Sequence, residues 1–90
     1  MKTFPEVLNE LAAVTDVARM LSMRSIKGRR EDAYHCVIAE YLRQETGRVD
    51  CVASYYCLFV DSLQEYTPLN VSTFMKEFDA GAYPELIIVE

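Results

Sequence analysis

The chain reads as an all-α protein: a compact bundle of about four helices, over residues 4–24, 31–46, 51–66 and 71–79, with a short apolar tail of extended form at 86–89. Three observations carry that reading. Apolar residues recur every three or four positions through most of the chain, which is the spacing of one helix face. The three glycines stand alone at 28, 47 and 81, each where such a run stops. No stretch shows the strict apolar–polar alternation of a half-buried strand.

The first helix begins at Thr3. Thr3-Phe4-Pro5-Glu6 fits a capping box, with a hydroxyl at the cap, proline in the first turn and glutamate at the third position. From there Phe4, Val7, Leu8, Leu11, Val14, Thr15, Ala18 and Leu21 fill one face. A smaller apolar set, Ala13, Val17 and Met20, falls on the opposite side. Either a neighbouring segment folds over this second set or it is an interface.

Arg24 to Arg30 breaks the pattern, with Gly28 as a cap or turn residue. The second helix opens on Glu31 and Asp32, which suit the positive end of a helix dipole. Tyr34, Val37, Ile38, Tyr41 and Leu42 form its apolar arc, and Gly47 ends it. Asp50 to Tyr66 is rich in strand-favouring Val, Tyr, Phe and Cys. Period outweighs propensity here, because Tyr55-Tyr56-Cys57-Leu58-Phe59-Val60 does not alternate. On a helix Asp50, Ser54, Asp61 and Glu65 align in one polar stripe opposite Val52, Tyr55, Tyr56, Phe59 and Leu63, with Asp50 as N-cap. Thr67-Pro68 stops that helix. Val71, Phe74, Met75 and Phe78 mark the last one, capped by Asn70 or Ser72 and stopped by Gly81. Leu86, Ile87, Ile88 and Val89 then read as a strand without a partner inside the chain.

Ninety residues fit one domain, 1–90. Area scaling buries roughly 64% of the surface of a chain this size, enough for a modest core without staples. The 51% hydrophobic content excludes disorder, and no apolar run reaches the ~18 residues of a membrane span. The opening residues lack the apolar stretch of a signal peptide. With an odd count of three cysteines, Cys36, Cys51 and Cys57, a reducing cytoplasm is the natural setting. His35 and Cys36 are neighbours, a spacing that argues against a zinc site with Cys51 and Cys57. No metal and no cofactor is expected.

No catalytic constellation stands out. The lone histidine, His35, sits at the border of an apolar arc, the usual place of a structural imidazole. Cys36 and Cys57 project among carboxylates, which raise a thiol pKa and disfavour a reactive thiolate. The isolated glycines offer no phosphate-cradling loop.

Charge is the informative asymmetry. The chain carries −5 overall with pI about 4.8, a poor balance for a nucleic-acid binder. Residues 24–30 nevertheless hold Arg24, Lys27, Arg29 and Arg30, while 50–90 set Lys76 alone against seven acids. The basic turn is a solvated loop pairing with nearby acids, a dock for an acidic protein or a second copy of this chain, or, least of all, a phosphate contact.

These features point to a non-enzymatic protein-interaction module, a small regulator or inhibitor of a larger protein. Its candidate surfaces are the basic turn (Arg24, Lys27, Arg29, Arg30), the second helix face (Ala13, Val17, Met20) and the tail (Leu86, Ile87, Ile88, Val89), with homodimerisation as one use of them. The alternatives are a nucleic-acid-linked regulator using residues 24–30, nucleic-acid mimicry by the acidic half, and, last, a thiol-dependent enzyme.

Overall fold

The computed structural model describes residues 1–88 and is mixed α/β rather than all-α: four helices and a three-stranded antiparallel sheet. The order is α1 (Phe4–Ala12), α2 (Val17–Met23), α3 (Val37–Thr46), β1 (Cys51–Ala53), β2 (Cys57–Val60), β3 (Leu63–Tyr66), α4 (Leu69–Asp79) and a single 3₁₀ turn, Pro84–Leu86. The core lies where α1, α3 and α4 meet, with α2 against α4 and the 3₁₀ turn, and α3 against β1.

The capping box at Thr3 is present in full. Thr3 Oγ1 accepts from the Glu6 N–H at 3.3 Å, and Glu6 Oε1 accepts from the Thr3 N–H at 3.2 Å. The expected long helix over 4–24, however, is two helices. Val14, Thr15 and Asp16 are poor interior residues, and the Asp16 carboxylate prefers to cap, accepting from the Arg19 N–H at 3.0 Å. The carbonyls left at the end of α1 are taken by a distant group: Asn70 Nδ2 donates to Leu11 O at 3.0 Å and Val14 O at 2.9 Å. The break turns Val17 into the core and dissolves the expected second apolar face.

The helix expected from Glu31 starts only at Val37. The Asp32 carboxylate accepts from the N–H groups of Tyr34 (3.0 Å) and His35 (3.1 Å), a local turn that competes with helix. Gly28 is not a cap. A Cβ there would lie 2.1 Å from Val37 N and 2.4 Å from Cys36 C, so the residue is glycine because two backbones touch. Gly47 does close α3, in the left-handed conformation at φ 71°.

The largest correction concerns 51–66, which is two hairpins and not a buried helix. Asp50 does not cap; its carbonyl accepts from the Asp61 N–H at 2.8 Å, extending the β1–β2 ladder. Ser54 N–H bonds Cys57 O at 2.9 Å across the first turn. Asp61 makes the second turn at φ 55°, a conformation that short polar side chains tolerate. Burial alternates after all: Cys51, Ala53, Leu58 and Val60 face the core, while Val52, Cys57 and Phe59 are half-buried on the other face. Both faces are apolar, which erased the alternation in hydropathy.

The tail finds its partner within the chain. Gly28 N–H donates to Leu86 O and Ile88 N–H donates to Gly28 O, both at 2.9 Å, in a parallel bridge between Gly28 and Ile87. No helix among the described residues is long and apolar enough to cross a membrane.

Candidate functional site

The phase of the sheet's hydrogen bonds decides which backbone groups each edge presents. Thr67 N–H donates to Tyr56 O at 2.9 Å, so 56 and 67 are a bonded pair. Antiparallel pairing alternates. Leu58–Glu65 and Val60–Leu63 are therefore bonded pairs too, and Cys57–Tyr66 and Phe59–Gln64 are not. Leu63 and Glu65 thus turn their backbone groups toward β2, while Gln64 and Tyr66 turn theirs outward.

The same alternation makes Cys51 and Ala53 the outward residues of β1. That edge is closed. Ala53 N–H donates to Ala33 O at 2.8 Å, and Cys51 N–H to Val49 O at 3.1 Å. The Arg43 guanidinium reaches in from α3, giving Nη2 to Cys51 O at 3.0 Å and Nε to Val49 O at 2.8 Å, with Tyr34 O as a further acceptor.

The β3 edge is open. Among the described residues no backbone group meets the outward N–H and C=O of Gln64 or Tyr66. All four residues of β3 are exposed, Leu63 by 56% and Tyr66 by 86%. Register puts Leu63 and Glu65 on the core-facing side, beyond where the core ends, and Gln64 and Tyr66 on the outer side beside Phe59 and Cys57. Val52 and Phe59 are half-buried without packing on the core cluster. The outer face of the sheet is therefore an apolar surface, where antiparallel sheets usually turn polar residues to water. Tyr56, 76% exposed, stands in the adjoining turn.

The residues singled out in the sequence do not form one surface. Arg24 lies 5.5 Å above the Tyr41 ring and pairs with Glu45, which also holds Lys2 at 3.3 Å. Arg30 points elsewhere, its Nε and Nη2 donating to Asp79 O at 2.9 and 2.6 Å. Lys27 and Arg29 are exposed on the strand-like segment between them. Val17 is buried, Met20 is half-buried against the core, and Ala13 is exposed at the end of α1. Leu86 is fully buried, Ile87 half-buried and Ile88 exposed; Val89 lies outside the described residues.

A second region gathers polar groups. Asp79, at the end of α4, accepts from the Tyr55 hydroxyl at one carboxylate oxygen and from the Glu31 N–H at the other, at 2.9 Å. These groups rim a cleft of about 270 Å³ floored by Cys36, Val37, Ala53, Met75 and Phe78. The bond to Asp79 holds the Tyr55 proton and pushes the phenol up to about 12. Burial pushes the Cys36 thiol up, which leaves it protonated and a poor nucleophile. Cys36 is buried, and the carboxylate of Asp79 is spent on holding the loops at Glu31 and Tyr55 to α4. The three cysteines are free, and no three His, Cys, Asp or Glu side chains come together as a metal site among the described residues.

Sequence reasoning missed β3, the outer-face residues Val52 and Phe59, and the role of Arg43. One signal was available: residues 49–75 contain Asp50, Asp61 and Glu65 and no Lys, Arg or His, an acidic and largely apolar stretch. Comparison with protein families, with curated proteins and with solved structures returns no match for this chain.

Proposed function

We propose that this chain is a non-enzymatic protein-interaction module, a small cytoplasmic regulator or inhibitor that binds a larger protein through the open side of its sheet. The observation that carries this is β3, exposed along its whole length, with its outward backbone groups met by no backbone group among the described residues and an apolar face beside it. Strand edges with that character are templates for another chain. The buried, proton-holding Cys36 thiol speaks against thiol chemistry in the cleft. The internal engagement of Arg24 and Arg30 speaks against residues 24–30 acting together on phosphate. Three free cysteines support a reducing compartment.

Capture from a nuclease-treated extract of the cells that make the protein tests the reading. The wild-type chain is compared with a Phe59→Asp/Tyr66→Asp variant and a Lys27→Glu/Arg29→Glu variant. A partner lost by the outer-face variant and kept by the basic-segment variant supports the proposal. The reverse pattern overturns it in favour of the basic segment.

A further inference from the structure

We propose that the β3 edge accepts an extended, positively charged segment of the partner protein as a fourth, antiparallel strand; this rests on the interaction-module reading above. The backbone part of the site is fixed by the phase of the ladder. Gln64 and Tyr66 present two N–H and two C=O groups on one edge, spaced as an incoming strand requires.

The side chains state what kind of strand fits. An incoming residue lying between the partners of Gln64 and Tyr66 faces Glu65 directly, on the core-facing side, at the short distance of a non-bonded pair. Glu65 is exposed there, and no basic residue occurs between 49 and 75. The cations that flank this stretch are engaged elsewhere: Arg48 is held by Asp61 at 2.6 Å, and Lys76 lies 5.8 Å from the centre of the Tyr55 ring. A lysine or arginine opposite Glu65 is therefore favoured. Its two neighbours lie on the outer side, directly opposite Gln64 and Tyr66 with Phe59 and Cys57 one strand further in, and are favoured as apolar residues. The recognised pattern is apolar–basic–apolar in an extended chain.

A second copy of this chain fits poorly. Three antiparallel self-registers bring outward groups of β3 together. One sets Glu65 against its own counterpart, and like charges directly opposed are destabilising. A second sets Gln64 on the two-fold axis, with Leu63 against Glu65 and Tyr66 against Ser62. The third sets Tyr66 on the axis and Gln64 against Pro68, which has no N–H to give. All bring together two chains of net charge −5. A charge on the core-facing side of an edge strand is a known device against self-pairing. Glu65 thus keeps copies apart and selects a basic guest.

The test uses two fluorescent octapeptides, one alternating lysine with valine and one alternating glutamate with valine, titrated into the full chain at physiological salt. The expected result is a preference of about tenfold for the lysine peptide, with slowed amide exchange at Gln64 and Tyr66. Gln64→Pro, which removes an outward N–H and spares the β2–β3 ladder, weakens binding by about tenfold. Glu65→Lys, an exposed change, reverses the peptide preference and keeps the test decisive even if the proline variant misfolds. Equal binding of both peptides, binding without protection at Gln64 and Tyr66, or no binding overturns the proposal. So does protection that appears with rising protein concentration alone, which identifies a second copy as the occupant. If both peptides fail while outer-face variants still abolish partner capture, the strand-addition idea falls and the interaction-module reading stands.

Discussion

Along β1, the N–H and C=O of Cys51 and the N–H of Ala53 all end on this chain, one of them on an arginine that reaches across from α3. Along β3, the corresponding groups of Gln64 and Tyr66 meet no backbone group among the described residues. The two strands are edges of one sheet, of similar length. The difference lies in what the chain does around them. Residues 31–36 fold back over β1 as a tight turn, anchored at Asp32 and Asp79. After β3 the chain leaves through Thr67 and Pro68 into α4, and none of the described residues beyond makes a backbone hydrogen bond to that edge. Closing an edge takes a covering segment and a long donor; this fold supplies both on one side only. The open side also carries the exposed Leu63, Tyr66 and Tyr56, side chains with no evident part in holding the fold.

The largest expected effects lie on the closed side. Gly28→Ala forces a Cβ into the backbone of Cys36 and Val37, which cannot yield as a side chain can. The expected loss is about 3 kcal/mol, with the 26–36 segment released from β1. Denaturant unfolding measures it. Next, Arg43→Met keeps an apolar stem but takes donors from Cys51 O, Val49 O and Tyr34 O. A loss of about 2 kcal/mol is expected. Ala53 amide exchange should accelerate while Gln64 and Tyr66 do not change.

Tyr55→Phe removes the hydroxyl that ties the first hairpin turn to Asp79, a loss of about 1 kcal/mol. The pH dependence has a definite sign. The folded phenol titrates near 12 against an ordinary 10.0. Its contribution is complete below 10 and fades as pH rises through 12. Wild type and variant should therefore differ by a constant amount through pH 9, and the difference should shrink as pH rises beyond 10. The smallest effects belong to the open edge. Leu63→Thr and Tyr66→Thr should each change stability by less than about 0.5 kcal/mol. A large loss at either would mean that β3 is held by contacts the fold does not show.

Local signals in the sequence were legible where they act over one turn. The Thr3 box, Gly47 and the apolar face of α4 are all where the spacing placed them. Sites settled by distant partners were not. The break at Ala13–Asp16 is sealed by Asn70, and the need for glycine at 28 comes from Cys36 and Val37. The sheet was hidden for a more instructive reason. Cys57-Leu58-Phe59-Val60 alternates in burial but not in hydropathy, because its outer face is as apolar as its inner one. The feature that disguised the strand is the feature that marks the proposed docking face. The charge asymmetry was readable as well, but the cations at 24 and 30 are consumed by Glu45 and Asp79. The acidic stretch without a base is what remains for a partner.

Residue-resolved amide exchange on the chain alone reads both edges in one experiment. Slow exchange at Ala53 and fast exchange at Gln64 and Tyr66 are expected, unchanged as protein concentration rises. Protection at Gln64 and Tyr66 equal to that at Ala53, or an Ala53 amide that exchanges as fast as theirs, would contradict one closed and one open edge.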